Sequence, residues 1–140
     1  FEVFGLNLKF TDIQAVIGIE QMKKLDGRVN KMREIYNIYY RNLKDIVNIV
    51  PPLDDEWLPW FVDIYVEDRE ELAGFLAAHK IGTRPVYGEI SKTNIYRSDA
   101  VMKNSSYACR TGLFLPSYVT LEQNEILFVC KLIKCWYNSK

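Results

Sequence analysis

The chain has 140 residues, 49% of them hydrophobic and 14% aromatic, with 18 basic residues balanced by 18 acidic ones. Such a composition suits one globular body with a sizeable core and is too rich in aromatic side chains for a disordered segment. Zero formal net charge leaves no basic excess to neutralise a nucleic-acid backbone, and no apolar run approaches the ~18–20 residues of a membrane span.

Phe1-Glu2-Val3-Phe4 carries neither an initiator Met nor the features of a signal peptide, and reads as the continuation of a longer chain or the start of an expressed segment. Residues 1–10 are extended or loop around Gly5 and Asn7. Thr11-Asp12-Ile13-Gln14 then fits a capping box, a hydroxyl residue followed three positions later by Gln. Ile13, Ile17, Met22, Leu25, Val29, Met32, Tyr36, Tyr39 and Leu43 follow at helical spacing and predict one apolar stripe along a long helix, with Asp26-Gly27 as its kink or break. Pro51-Pro52 ends that region.

Trp60 to Val66 is rich in aromatic and β-branched residues and predicts a strand. Asp68 to Glu71 starts a helix whose apolar face is Leu72, Phe75 and Leu76, ending near His79. Ile81 to Val86 predicts a second strand, confined to an edge or an end by Pro85. Tyr87 to Tyr96 is a polar loop, Ser98 caps a helix running to about Arg110, and Leu113-Phe114-Leu115 is a third strand. Thr120-Leu121-Glu122-Gln123 is read as another capping box, opening a last helix with Ile126, Val129, Leu132, Ile133 and Trp136 on its core face. The fold class is therefore α/β: a long helix followed by a small α/β sandwich, its helices packed on one face of a short sheet.

Self-sufficient catalytic patterns are missing: there is no G-x-S-x-G, P-loop, G-x-G-x-x-G or H-E-x-x-H. His79 is the only histidine, which argues against a histidine-rich metal site. Cys109, Cys130 and Cys135 form neither a disulfide framework nor a zinc pattern, which favours a reducing cytoplasm. Asp54-Asp55-Glu56 and Glu70-Glu71 read as a solvated linker and a first helical turn.

The segment Gly5-Leu6-Asn7-Leu8-Lys9-Phe10-Thr11-Asp12-Ile13-Gln14-Ala15-Val16-Ile17-Gly18, continuing to Leu25-Asp26, resembles a block of the DegT/DnrJ/EryC1/StrS sugar aminotransferases, G-x-N-x-(R/K)-x-(T/S)-D-x-Q-A-A-x-G-x-x-Q-L-x-x-L-D. Val16 and Met22 are mild departures. Ile81-Gly82-Thr83-Arg84-Pro85-Val86-Tyr87 is similar to the family's I-x-(T/S)-R-P-x-(F/Y), and Leu113-Phe114-Leu115-Pro116 with Thr120-Leu121 to its closing element. The resemblance implies a fold-type I aminotransferase, with residues 1–50 as the end of the large domain plus a long connecting helix and residues 51–140 as the small C-terminal domain. It implies pyridoxal 5'-phosphate as cofactor, a nucleotide-linked keto-deoxyhexose as substrate, an amino donor such as glutamate, and a homodimer with shared sites. The wording around Thr11 to Gly18 looks more like relatives that aminate C4 than those that aminate C3.

By the same resemblance Asn7 bonds the cofactor phosphate in the neighbouring subunit, its amide NH₂ being a neutral donor to phosphate oxygen, or else it only permits a turn after Gly5. Lys9 meets a substrate or cofactor phosphate or is simply solvated. Arg84 pairs with the sugar nucleotide's diphosphate or the donor's carboxylate, or else pins a helix end or a carboxylate such as Asp63. Tyr87 and Tyr96 bracket a loop where they contact the sugar or close the core. Ser91 stands where many relatives carry a substrate-contacting histidine, a departure that puts that contact and the substrate subgroup in question. The family's Schiff-base lysine and the Asp on the pyridine nitrogen precede the G-x-N block and have no counterpart here, and Lys23 and Lys24 match neither, so the 140 residues alone are expected not to transaminate. Two other readings fit the residues: a non-catalytic stand-alone small-domain module, and a PLP-dependent sugar dehydratase relative.

Overall fold

The computed structural model describes residues 9–54 and 57–140. Helix α1 covers Asp12–Met22 and α2 covers Leu25–Leu43. The capping box at Thr11 forms as expected: the Gln14 N–H donates to Thr11 Oγ1 at 3.4 Å, and the Thr11 N–H donates to Gln14 Oε1 at 2.9 Å. The break falls at Lys23-Lys24, before Asp26-Gly27, where the Lys24 N–H closes back three residues onto Gln21 O at 3.1 Å and interrupts the four-residue ladder. Gly27 lies inside α2.

The expected single stripe divides at that break. On α2, Ile35, Tyr36, Tyr39 and Leu43 are buried, whereas α1 buries nothing. Ile13 is 75% exposed, Val16 62%, Ile17 57%, Ile19 58% and Met22 65%. At 100° per residue these five side chains spread over more than half of the helix circumference.

Among the described residues four short strands form one antiparallel sheet in the order β1-β2-β4-β3: β1 Asn48–Ile49, β2 Val62–Tyr65, β3 Arg84–Pro85 and β4 Gly112–Leu115. The register sets Val62 opposite Leu115, Ile64 opposite Leu113 and Ile49 opposite Ile64. All five of these side chains are buried and make the inner face, while Asp63, Tyr65 and Phe114 alternate onto the outer one. The strand expected over Ile81–Val86 shrinks to two residues at the sheet's edge, because Pro85 has no N–H to give a further neighbour. β1 gave no sequence signal, since two residues are too few to show a period.

Helix α3 spans Arg69–Ala78, a 3-10 turn Ile90–Lys92, α4 Lys103–Thr111 and α5 Gln123–Asn138. The helix expected from Ser98 begins only at Lys103, because the Ser98 hydroxyl closes a tight turn by accepting the Ala100 N–H at 3.2 Å. The last helix is capped by Glu122 with Glu125 and not by Thr120: the Glu122 N–H donates to Glu125 Oε2 at 2.8 Å, and Thr120 stays in the preceding turn. Ile126, Val129, Leu132, Ile133 and Trp136 are buried as expected, joined by Cys130. Their main partners are α2 and α3, with the inner face of the sheet closing the same core. Tyr39 locks α2 to the end of β4 by donating to Pro116 O at 3.0 Å.

The expectation that every helix lies on one face of the sheet needs correcting. α4 contacts β2 and β4, and its Tyr107 stacks on the outer-face Tyr65 at 6.2 Å between ring centroids. Gly112 makes the tight passage from α4 into β4 possible: a Cβ there would come within 2.5 Å of both Ala108 O and Val86 Cγ2.

Candidate functional site

On the outer face of the sheet, opposite the core, lies the one place where expected site residues come together among the described residues. Arg84 is extended by the proline that follows it, and its Cα stands opposite Phe114 on the edge of the sheet. Its guanidinium carbon sits over three rings, 5.0 Å from the centroid of Tyr87, 5.2 Å from Phe114 and 5.4 Å from Phe61. Nη2 donates to the Tyr87 hydroxyl at 3.0 Å. Phe61 and Phe114 pack on each other at 4.6 Å, and Tyr87 meets Phe114 edge-on at 5.9 Å.

Arg84 nonetheless remains exposed, and among the described residues no carboxylate forms an ion pair with it. A guanidinium has five N–H donors, so most of its hydrogen-bonding capacity faces outward. Asp63, the carboxylate expected as the structural alternative partner of Arg84, accepts instead from the Tyr65 hydroxyl at 2.5 Å. Burial, with that bond second, holds the Tyr65 phenol well above its ordinary range. Beside Arg84 opens a shallow concavity of about 380 Å³ walled by Trp60, Phe61, Thr83, Phe114 and Tyr118.

Tyr87 is held from both ends. While its hydroxyl meets Arg84, its carbonyl accepts from Cys109 Sγ at 3.0 Å, which ties the start of the long connection to α4. Ser91 lies half-buried in the 3-10 turn, its carbonyl bonded by the Ser98 N–H at 3.0 Å, and it does not line the concavity beside Arg84. Tyr96 is likewise outside it, 66% exposed. Lys9 is exposed just before the Thr11 cap. Asn7 lies outside the described residues.

Phe61 and Phe114 belong to no site motif in the sequence. The signal was the alternation: each sits one position out of phase with Val62, Ile64, Leu113 and Leu115, so each is an aromatic residue on the face that turns away from the core. Other titratable residues take structural roles. His79 Nδ1 meets Phe75 O at 2.8 Å beyond α3, and Glu89 is held below the ordinary carboxylate range by hydrogen bonds from Lys92 and Ser106. Among the described residues no cluster of His, Cys, Asp or Glu suits a metal ion, and no helix is long and apolar enough to cross a membrane.

The described residues do not by themselves provide for pyridoxal phosphate. A Schiff-base lysine needs a desolvated amine or a neighbour that depresses its pKa. No described lysine is buried, and Lys23 is engaged by Glu20 at 2.5 Å on the surface of α1.

The same arrangement of helices and sheet is found in solved aminotransferases. The aminotransferase TlmJ from Streptoalloteichus hindustanus superposes with a TM-score of 0.87 at 21% identity, over 99% of this chain and 39% of that one. The fold is that of a C-terminal portion of a fold-type I aminotransferase. Residues 1–134 match the DegT/DnrJ/EryC1/StrS aminotransferase family, and the chain belongs to it. GDP-perosamine synthase of Escherichia coli O157:H7 is 31% identical over 99% of this chain and 40% of its own length. The dTDP-4-dehydro-2,3,6-trideoxy-D-glucose 4-aminotransferase of Saccharopolyspora spinosa is 30% identical over 89% of this chain and 34% of its own. The chain thus spans 34–40% of the length of these two relatives.

Proposed function

We propose that this chain is the small-domain portion of a PLP-dependent aminotransferase that passes an amino group from glutamate to C4 of a nucleotide-linked keto-deoxyhexose. Membership of the family supports amino transfer, and the names of two relatives, a perosamine synthase and a 4-aminotransferase, favour the sugar and the position. The cofactor lysine belongs, in this reading, to a part of the protein beyond these 140 residues, which alone do not transaminate. Helix α1 supports that division, because Ile13, Val16, Ile17, Ile19 and Met22 all stand exposed on it, and so much apolar surface on one helix is stabilised by being covered. Its cover is the rest of the large domain, to which residues 1–50 contribute the end and a long connecting helix, while residues 51–140 form the small domain. The working protein is a cytoplasmic homodimer in which Asn7 reaches the partner's cofactor phosphate.

One observation carries the substrate side of this reading: Arg84 is an exposed cation, caged by three aromatic rings and matched with no carboxylate among the described residues. Such a group is suited to an oxyanion, either the diphosphate of the sugar nucleotide or the carboxylate of the donor. In the intact enzyme, Arg84→Ala is expected to raise KM for one of them by roughly ten- to hundredfold, a charge-assisted hydrogen bond contributing about 1.5–3 kcal/mol, with a smaller effect on kcat. Unchanged kinetics with a lowered melting temperature would return Arg84 to a purely structural role.

A further inference from the structure

An arginine on a protein surface is ordinarily either mobile or tied down by a carboxylate. A carboxylate fixes the guanidinium, but it neutralises the charge and occupies two of the five donors. The outer face of this sheet does it differently. Phe114, directly across the ladder from Arg84, and Phe61, packed on Phe114 at 4.6 Å, place two rings within 5.4 Å of the guanidinium carbon, with Tyr87 as a third. An aromatic ring attracts a cation through its quadrupole, carries no formal charge and accepts no conventional hydrogen bond. The cage therefore restricts a long, rotamer-rich side chain while leaving its charge, and every donor but the one given to Tyr87, available to a ligand.

We infer that Phe61 and Phe114 are positioning residues that hold the Arg84 guanidinium ready for a forked oxyanion. The inference rests on the reading of Arg84 given above and adds to it where the alignment of that cation comes from. Neither phenylalanine need touch the ligand. Each is only partly buried, so the fold does not depend on either as it does on Ile64 or Leu113.

The test uses the intact enzyme and four variants: Arg84→Ala, Phe61→Leu, Phe114→Leu and Phe114→Tyr. KM and kcat are measured separately for the amino donor and for the sugar nucleotide, with glutarate and inorganic pyrophosphate as equilibrium-binding probes of the two oxyanion sources. Each leucine variant is expected to raise KM, and the Kd of the matching probe, about two- to fivefold for whichever substrate responds to Arg84→Ala, the range that an exposed cation–π contact corresponds to. kcat is expected to stay near wild type, and Phe114→Tyr, which restores the ring, to return KM to its original value. If Arg84→Ala weakens binding while both leucine variants bind like wild type, Arg84 keeps its role and the positioning inference falls. If Arg84→Ala is silent for both substrates, the reading of Arg84 falls and the inference with it. Near-UV circular dichroism checks folding; should a leucine variant melt below the assay temperature, Phe114→Met, which keeps the bulk without the quadrupole, gives the same decision.

Discussion

Lys80 is the only described residue other than glycine with a positive φ, 63°, and it sits just past the C-terminus of α3. Its N–H bonds Ala77 O at 2.9 Å and the Ile81 N–H bonds Leu76 O at 2.9 Å, which closes the helix with a left-handed residue where glycine is usual. Lys80→Gly is therefore expected to raise stability by about 0.5–1 kcal/mol despite glycine's greater freedom in the unfolded chain, measured by denaturant titration. A loss of stability would mean that the lysine side chain contributes more than its backbone costs. A second residue, Cys130, gives the fold a pH dependence. Burial pushes its thiol from the ordinary 9.0 up to about 12. A folded-state pKa above the unfolded value gives stability that is complete below pH 9 and is lost as pH rises toward 12, because the unfolded chain ionises first. Tyr36, pushed from 10.0 to about 12 chiefly by burial, adds to the decline from pH 10 upward. The melting temperature should thus start to fall near pH 9, and Cys130→Ala should flatten the fall between pH 9 and 10. An equal slope in both proteins would show that the thiol is not the group responsible.

Two helices that share one periodicity in the sequence have opposite fates. Tyr36, Tyr39 and Leu43 enter the core, whereas Ile13, Ile17 and Met22, at compatible spacing, do not. Periodicity reports which side chains lie along a face, and contact with another element decides whether that face is buried. The consequence for α1 is measurable. In the 140-residue chain Ile17→Glu should change unfolding free energy by about 0.5 kcal/mol or less, as an exposed substitution does. In the intact protein, where the large domain is proposed to cover α1, the same change places an unpaired carboxylate in an apolar contact and should cost more than about 2 kcal/mol. Equal, small effects in both would argue that α1 remains uncovered. The caps show a similar division: Thr11 and Gln14 form the box that their spacing announced, while Glu122 with Glu125 displaces Thr120 by starting α5 two residues later. Three-residue spacing is common in polar segments, so the pattern identifies the end of a helix better than its first residue.

At the scale of the whole molecule the proposal is a dimer whose sites draw on both chains. A subunit with Asn7→Ala mixed with one lacking the cofactor lysine should recover about a quarter of the wild-type sites, since random pairing in a two-fold dimer collects both defects in one site of half the dimers. No recovery would place Asn7 and the lysine in the same subunit's site. The sequence by itself determined the family, through the long block from Gly5 to Asp26, and the core face of α5, through spacing that local geometry alone dictates. It also restricted β3 to an edge or an end, because the missing N–H of Pro85 is a property of one residue, and the structure puts it at the edge. Only the tertiary structure decided that β1 joins the sheet, that α2 is the chief partner of α5, and that α4 crosses to the outer face. It alone brought Phe61, Arg84, Tyr87 and Phe114 together, from separate segments of chain, and gave Asp63 to Tyr65. Those pairings depend on strand order and register between distant segments, which no local spacing encodes.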